Sequence, residues 1–243
     1  MKAAIGLMGG LAAFLLTSCS RESAPPQETE IVTPHHDDEE ENLDLWLEQM
    51  EVGSRELYSA REAVADAIAL KEGAVVADIG AGTGLYSLLF SERVGPSGRV
   101  FAEDIEPMFL NLINQRAEDA GASNVTAVLG RENDVSLPDN AIDVVFIADT
   151  YHYFEDRESV MKTVYRALKP GGSLVIVDYD LKPDQPRPED KAQVRFGKAG
   201  VVSEIEFIGF KLADDIAVPG LSENYFLRFT KPDDGAAAQP QPE

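Results

Sequence analysis

Residues 75–84 read VVADIGAGTG, an apolar run of strand length that stops at three alternating glycines and passes straight into a helical pattern over 85–94. Glycines at such a turn admit positive φ and let a backbone come close to a ligand. The carboxyl edge of a sheet, where the loop falls, is where ligands bind in folds built from strand, loop and helix. The spacing is G-x-G-x-G. The dinucleotide fingerprint wants a glycine at position 85, and that residue is Leu85, which counts against a nicotinamide ligand. Asp104 lies 20 residues beyond Gly84, at the end of the next strand pattern. A carboxylate there can accept hydrogen bonds from both hydroxyls of a ribose. It is also placed to cap the helix that Glu106-Pro107 begins, and the two roles are compatible.

The rest of the body repeats this alternation. Strand patterns occupy 74–79, 99–104, 125–129, 142–148 and 173–179, and helical patterns 85–94, 107–120, 157–168 and roughly 189–208. Two amphipathic helices precede them, one through Leu43, Trp46, Leu47 and Met50, the other through Val64 and Ile68. Strands separated by helices require right-handed crossovers and a parallel sheet covered on both faces. The end breaks the pattern: 210–218 and 225–231 are two strand-like runs around Pro219-Gly220, a hairpin that adds antiparallel pairing. No internal repeat is present.

Charge and cysteine usage narrow the function. Among 243 residues, 43 are acidic and 21 basic, so the formal charge of −22 excludes a general affinity for nucleic acid or anionic lipid. The single cysteine, Cys19, rules out an intramolecular disulfide and a cysteine-rich zinc site. Of three histidines, His35 and His36 fall in an acidic segment, so no protein metal cluster is expected. Residues 3–16 form an apolar run of 14, about 21 Å as a helix against a hydrocarbon core of roughly 30 Å, so a signal peptide fits better than a membrane span. Leu16-Thr17-Ser18-Cys19 resembles the lipobox of bacterial lipoproteins, in which the cysteine is lipidated. That resemblance implies a lipid anchor in the cell envelope, and Ser20 in place of Asp points to the periplasmic face of the outer membrane. The expected organisation is a signal peptide over 1–18, an acidic linker over 19–42, one domain over 43–232 and a tail over 233–243.

Residues 77–84 resemble motif I of class I S-adenosylmethionine-dependent methyltransferases. Residues 100–105 are similar to motif II, 142–149 to motif IV, and 168–174 to the segment entering the fifth strand. The resemblance covers about residues 53–232. It implies an α/β, three-layer Rossmann-like methyltransferase fold with a seven-stranded, mostly parallel sheet and a C-terminal antiparallel hairpin, and S-adenosylmethionine as cofactor. By the same resemblance Asp78 and the glycine loop of Gly80, Gly82 and Gly84 hold the methionine end, and Asp104 holds the ribose. Asp134 is assigned to the adenine, with Glu132 and Asn133 as close rivals. Arg55, with Glu56 and Tyr58, resembles a helix that closes over the cofactor, Arg55 meeting its carboxylate; the alternative is a surface helix.

Methyl transfer from a sulfonium is an in-line displacement in which positioning carries much of the catalysis, and a base near the methyl helps when the acceptor must lose a proton. Residues 149–154, DTYHYF, follow the fourth strand. His152 is the candidate base, or a structural hydrogen-bonding residue. Tyr151 and Tyr153, with Phe154, either line an apolar substrate pocket or pack beneath the next helix. The expected function is methyl transfer to a small or lipophilic acceptor by a membrane-anchored protein that does not bind nucleic acid. The competing reading is a non-catalytic nucleoside-binding or sensor module on the same fold, because S-adenosylmethionine is made in the cytoplasm and a lipobox directs export.

Overall fold

Four of the five residues of β1 (Val75–Ile79) are buried, because this strand lies inside a sheet covered on both faces. A computed structural model describes residues 36–182, 194–195 and 197–233. Cys19, the signal segment, the linker as far as residue 35, residues 189–193 and 196 of the helix expected over roughly 189–208, and the tail from 234 lie outside the described residues. Helices α1 (His36–Met50), α2 (Glu56–Ser59) and α3 (Arg61–Ile68) precede β1. Helices α4 (Leu85–Val94), α5 (Pro107–Asp119), α6 (Arg157–Ala167) and α7 (Lys198–Ile208) follow among the strands β2 (Arg99–Asp104), β3 (Val125–Leu129), β4 (Ile142–Ala148) and β5 (Leu168–Tyr179). Strands β6 (Lys211–Asp215) and β7 (Asn224–Thr230) close the chain. No described helix is long and apolar enough to cross a membrane.

The strand order is β3-β2-β1-β4-β5-β7-β6, with β1 to β5 parallel and β7 antiparallel to both of its neighbours. The order reverses at β1, which pairs β2 on one side and β4 on the other. Crossovers leave in opposite directions there, and a crevice opens at the carboxyl ends of β1 and β4. The expected fold is the one observed. Each face of the sheet packs its own apolar layer: one gathers Ile79, Ile147, Met161, Phe210 and Phe229, the other Val76, Phe90, Phe146, Val177 and Phe226. In the second layer Phe146 meets Phe90 edge-on at 5.1 Å and Tyr86 at 4.8 Å. The Tyr86 hydroxyl donates to the Leu57 carbonyl at 2.7 Å and so ties α2 to α4.

Four boundaries differ most from the sequence expectation. One of them is the last helix: α7 starts at Lys198, after the extended Gly197, where the pattern placed a helix from roughly 189. Helix α1 starts at His36, inside the stretch assigned to the linker. Its opening residues Asp37 to Glu41 are all acidic, and acids in a first turn favour a helix through its dipole as well as favouring solvation. Strand β5 begins at Leu168, five residues before the expected start at 173. Lys169-Pro170-Gly171-Gly172 reads as a turn, yet Gly171 donates to the Lys231 carbonyl at 2.9 Å and the ladder with β4 merely shifts register between Ile142 and Val144. The first arm of the hairpin is shorter than expected, ending at Asp215. It is an exposed edge strand carrying Lys211, Asp214 and Asp215, charges that discourage further strand pairing.

Because Phe146 is fully buried between two rings, Phe146→Ala is expected to cost about 3–5 kcal/mol. Urea unfolding checks this, and a loss below about 1 kcal/mol contradicts the packing described.

Candidate functional site

The glycine loop is fixed from two sides. Gly80 has φ +66°, and a Cβ on it would lie 2.3 Å from Thr150 Cγ2, so the loops after β1 and β4 approach too closely for a side chain. Gly84, the N-cap of α4 with φ +78°, packs against Ile113 of α5, where a Cβ would come within 2.9 Å of Cγ1. Its role is helix packing, and it does not border the cavity described next. The Gly82 N–H donates to Asp104 Oδ2 at 2.8 Å, and Asp104 Oδ1 accepts the Glu106 N–H at 3.0 Å. Asp104 therefore organises the loop and the turn that leads into α5, whose N-cap is Glu106, while each oxygen keeps a lone pair for a ligand. Burial pushes its carboxyl up, opposed by those backbone donors.

A cavity of about 360 Å³ opens beside this loop. Gly80, Gly82, Glu103, Asp104 and Ile105 form its floor, and α1 covers it with Trp46 and Met50, Trp46 meeting Phe109 edge-on at 5.9 Å. Arg131 and Glu132 border its polar end, while Thr150, Tyr153 and Phe154 line the side below β4. Its size and mixed lining suit a small molecule. Asp78 sits behind the loop rather than in the wall. It is buried, accepts the Ser87 hydroxyl at 2.6 Å, and burial raises it to about 7. Asp134 is also outside the wall: Oδ1 accepts the Ser136 N–H at 2.7 Å, its backbone closes a tight turn with Arg131, and its other oxygen is 3.5 Å from Arg166. Glu132, treated as a rival for the adenine position, borders the cavity instead, and Asn133 lines an adjoining depression. The tight turn decides this, and spacing along the chain does not reveal it.

Arg55 donates to Asp149 Oδ2 at 2.7 Å and to the Met50 carbonyl at 3.1 Å. It lines a second cavity of about 420 Å³, shared with Glu56, Tyr179 and Asn224, and Asp149 borders both cavities. Glu56 accepts hydrogen bonds from Ser222, Glu223 and Asn224, which fastens α2 to the segment before β7. Arg55 and Glu56 thus belong to a pinned helix at the mouth of the site, and Tyr58 packs its ring under Arg61.

The residues after β4 divide sharply. Tyr153 is 56% exposed and borders the first cavity. Tyr151 is buried and donates its hydroxyl to Glu204 of α7 at 2.7 Å, so it packs between the sheet and α7 and borders a separate cavity of about 370 Å³ beside Arg157 and Phe207, not the one at the glycine loop. His152 has a side chain only 4% exposed, with Nδ1 2.7 Å from Asp178 Oδ1 and Nε2 without a partner among the described residues. It borders a void of about 10 Å³ beside Tyr179 and Tyr225, not either large cavity. Asp149, His152 and Asp178 each bring one ligand-type atom within 4.8 Å of the others. Their spacing along the chain does not reveal that grouping. Arg55 and the His152–Asp178 hydrogen bond already partner it. Glu103 and Asp149 escaped sequence reasoning as site residues; the signals that could have found them are adjacency to Asp104 and the last position of the motif IV match.

A sheet of this order with an antiparallel final pair, and a glycine loop held against the acid ending β2, defines the Rossmann-like methyltransferase fold. The family model described as the ubiE/COQ5 methyltransferase family matches residues 37–189, and the chain belongs to that family. A relative from Hahella chejuensis, a "Ubiquinone/menaquinone biosynthesis C-methyltransferase UbiE", is 32% identical over 144 residues, covering 59% of this chain and 57% of the relative. A "Demethylmenaquinone methyltransferase" from Listeria monocytogenes is 31% identical over 109 residues, 45% of this chain and 46% of its own. The chain therefore spans about half the length of the curated relatives it matches. Among solved structures, a SAM dependent methyltransferase from Aquifex aeolicus superposes with TM-score 0.66 at 26% identity, covering 76% of this chain and 96% of that one. The [4+2]-cyclase SpnF superposes with TM-score 0.65 at 15% identity, covering 72% and 82%, a likeness of fold alone.

Asp78 and Glu103 are raised to about 7 and about 8, chiefly by burial. Above its usual value near 3.8 the unfolded chain releases the Asp78 proton, whereas the folded chain keeps it until about 7, so stability falls as pH rises through that window. Asp78→Asn is expected to flatten the decline in the unfolding midpoint between pH 4 and 8. An unchanged slope in the variant contradicts the assignment.

Proposed function

We propose that this protein is an S-adenosylmethionine-dependent methyltransferase acting on a small, lipophilic acceptor of the quinone class, and that Cys19 anchors it by lipid in the cell envelope, at the periplasmic face of the outer membrane. The observation that carries the reading is the Gly82 N–H on Asp104 at the floor of a nucleoside-sized cavity. The donor set fits an adenosyl group: Asp104 has lone pairs for ribose hydroxyls, Ile105 and Phe109 offer apolar faces, and Glu132 can accept from an exocyclic amine. Bound there, S-adenosylmethionine supplies an electrophilic methyl group on a cationic sulfur. The quinone class rests on the names of the relatives and on the apolar flank of Phe154, Val135 and Val160.

Asp149, between the two cavities, is the group placed to meet an acceptor, and His152 lies behind it, oriented by Asp178. We assign the acceptor's proton to this turn, with His152 as the final base. The motif at Leu16 to Cys19 favours a second reading, a nucleoside sensor, since export separates the protein from its cofactor's source; fold alone does not decide turnover.

Calorimetry of the purified protein with S-adenosylmethionine and S-adenosylhomocysteine tests binding. Asp104→Ala is expected to weaken both by at least about tenfold, the scale of one charge-assisted hydrogen bond. No heat from either with folded protein refutes the proposal. Methyl release to demethylated quinones then separates enzyme from sensor. His152→Gln is expected to lower turnover by about 10²-fold or more while leaving cofactor affinity intact. Intact turnover in that variant removes His152 from the chemistry. Labelling with radioactive palmitate, lost in Cys19→Ala, checks the anchor.

A further inference from the structure

We infer that Glu103 is a charge-selecting wall of the adenosyl cavity: it favours a cationic sulfonium over the neutral thioether left after methyl transfer, and exchanges a proton when the cation binds. The inference rests on the proposed adenosyl ligand. It starts from a carboxyl placed where strand and loop leave it little support. Glu103 is 3% exposed, one residue before the end of β2, and borders the cavity. Oε2 accepts the Gly80 N–H at a long 3.3 Å. Its other oxygen occupies space that a side chain at position 130 would need, since a Cβ on Gly130 would lie 1.5 Å from Oε1. Gly130 therefore exists to admit this carboxyl against the end of β3, a built arrangement rather than a stray acid.

The charges around it come from every neighbouring element. Asp78 faces it from β1, Asp104 from its own strand, and Asp134 from the turn after β3. On the cavity wall itself Glu103, Asp104, Glu132, Asp149 and Glu155 stand against Arg131, while Arg55 pairs with Asp149 from the second cavity. Burial first, and then the neighbouring acids, raise Glu103 to about 8, so at neutral pH it is largely protonated without a ligand. A cation brought into this enclosure favours the ionised carboxylate, which drives the proton off; a thioether gives no such drive. The wall would hold the reactive ligand and relax on the spent one.

The test is calorimetry of the full chain with S-adenosylmethionine and S-adenosylhomocysteine from pH 6.5 to 9, in two buffers of different ionisation enthalpy. The sulfonium lowers the pKa of its own ligand's amino group, so the titration of each free ligand is measured in the same buffers and subtracted before the ratio of affinities and the proton count are taken. The expected ratio rises about fivefold in favour of the sulfonium across this range, as a Coulomb interaction at several ångströms in a partly hydrated cavity gives. Net proton release accompanies the sulfonium near pH 7.5. In Glu103→Gln the ratio is expected to stay flat above pH 7.5. A flat ratio and no proton release in the native protein overturn the inference while leaving adenosyl binding intact, and so does an equal rise in the variant. Failure of both ligands to bind folded protein overturns the proposed function and this inference together. Should Glu103→Gln fail to fold, proton release by the native chain decides alone.

Discussion

The hydrogen bond from the Gly82 N–H to the Asp104 carboxylate joins the loop leaving β1 to the end of β2, and the site is assembled around it. The two strands run parallel and in register, with Ile79 beside Glu103, so their ends arrive at the same level. Asp104 then turns the next residues through the Glu106 N–H into α5. One side chain thus sets the loop's distance from β2, the start of a helix and the acceptor set on the cavity floor. The Gly80 to Thr150 approach does the equivalent on the β4 side.

This construction has an electrostatic cost. Asp78, Glu103 and Asp104 lie near one another at the carboxyl end of the central strands, and burial pushes all three carboxyls up. Helix N-termini and backbone N–H groups offset part of this. The remainder is what makes the floor responsive to a cation. A fold that places its loop amides at this edge draws anionic groups to it, and this chain has supplied one more than the nucleoside contact needs.

The approach to the site is organised by side chains distant in sequence. Glu56 holds the segment before β7, Tyr86 holds α2 from α4, and Arg55 reaches Asp149 after β4. The short α2 is therefore anchored to three separate elements, and two cavities meet at Asp149 beneath it. Positive φ at Asp149, +49°, accompanies its place between those cavities.

Periodicity and turn residues were enough to place β1 to β4, α4 and the parallel pairing, because a strand buried on both faces and a strand ending in glycines leave patterns within ten residues. Gly80, Gly82 and Asp104 were legible as a site for the same local reason, and the family likeness supplied the ligand. Side-chain destinations were not legible. Tyr151, His152 and Tyr153 are consecutive, yet a single short helical turn sends them to α7, to Asp178 and to the cavity. A tight turn puts Glu132 on the cavity wall and leaves Asp134 outside it, and Glu103 is set apart from an ordinary strand acid only by the space that Gly130 leaves. The amino-acid sequence by itself determined the sheet, the loop and the acid opposite it, since those follow from local backbone preference and burial. The tertiary structure alone decided which neighbours face the cavity, because that depends on how elements far apart in the chain pack.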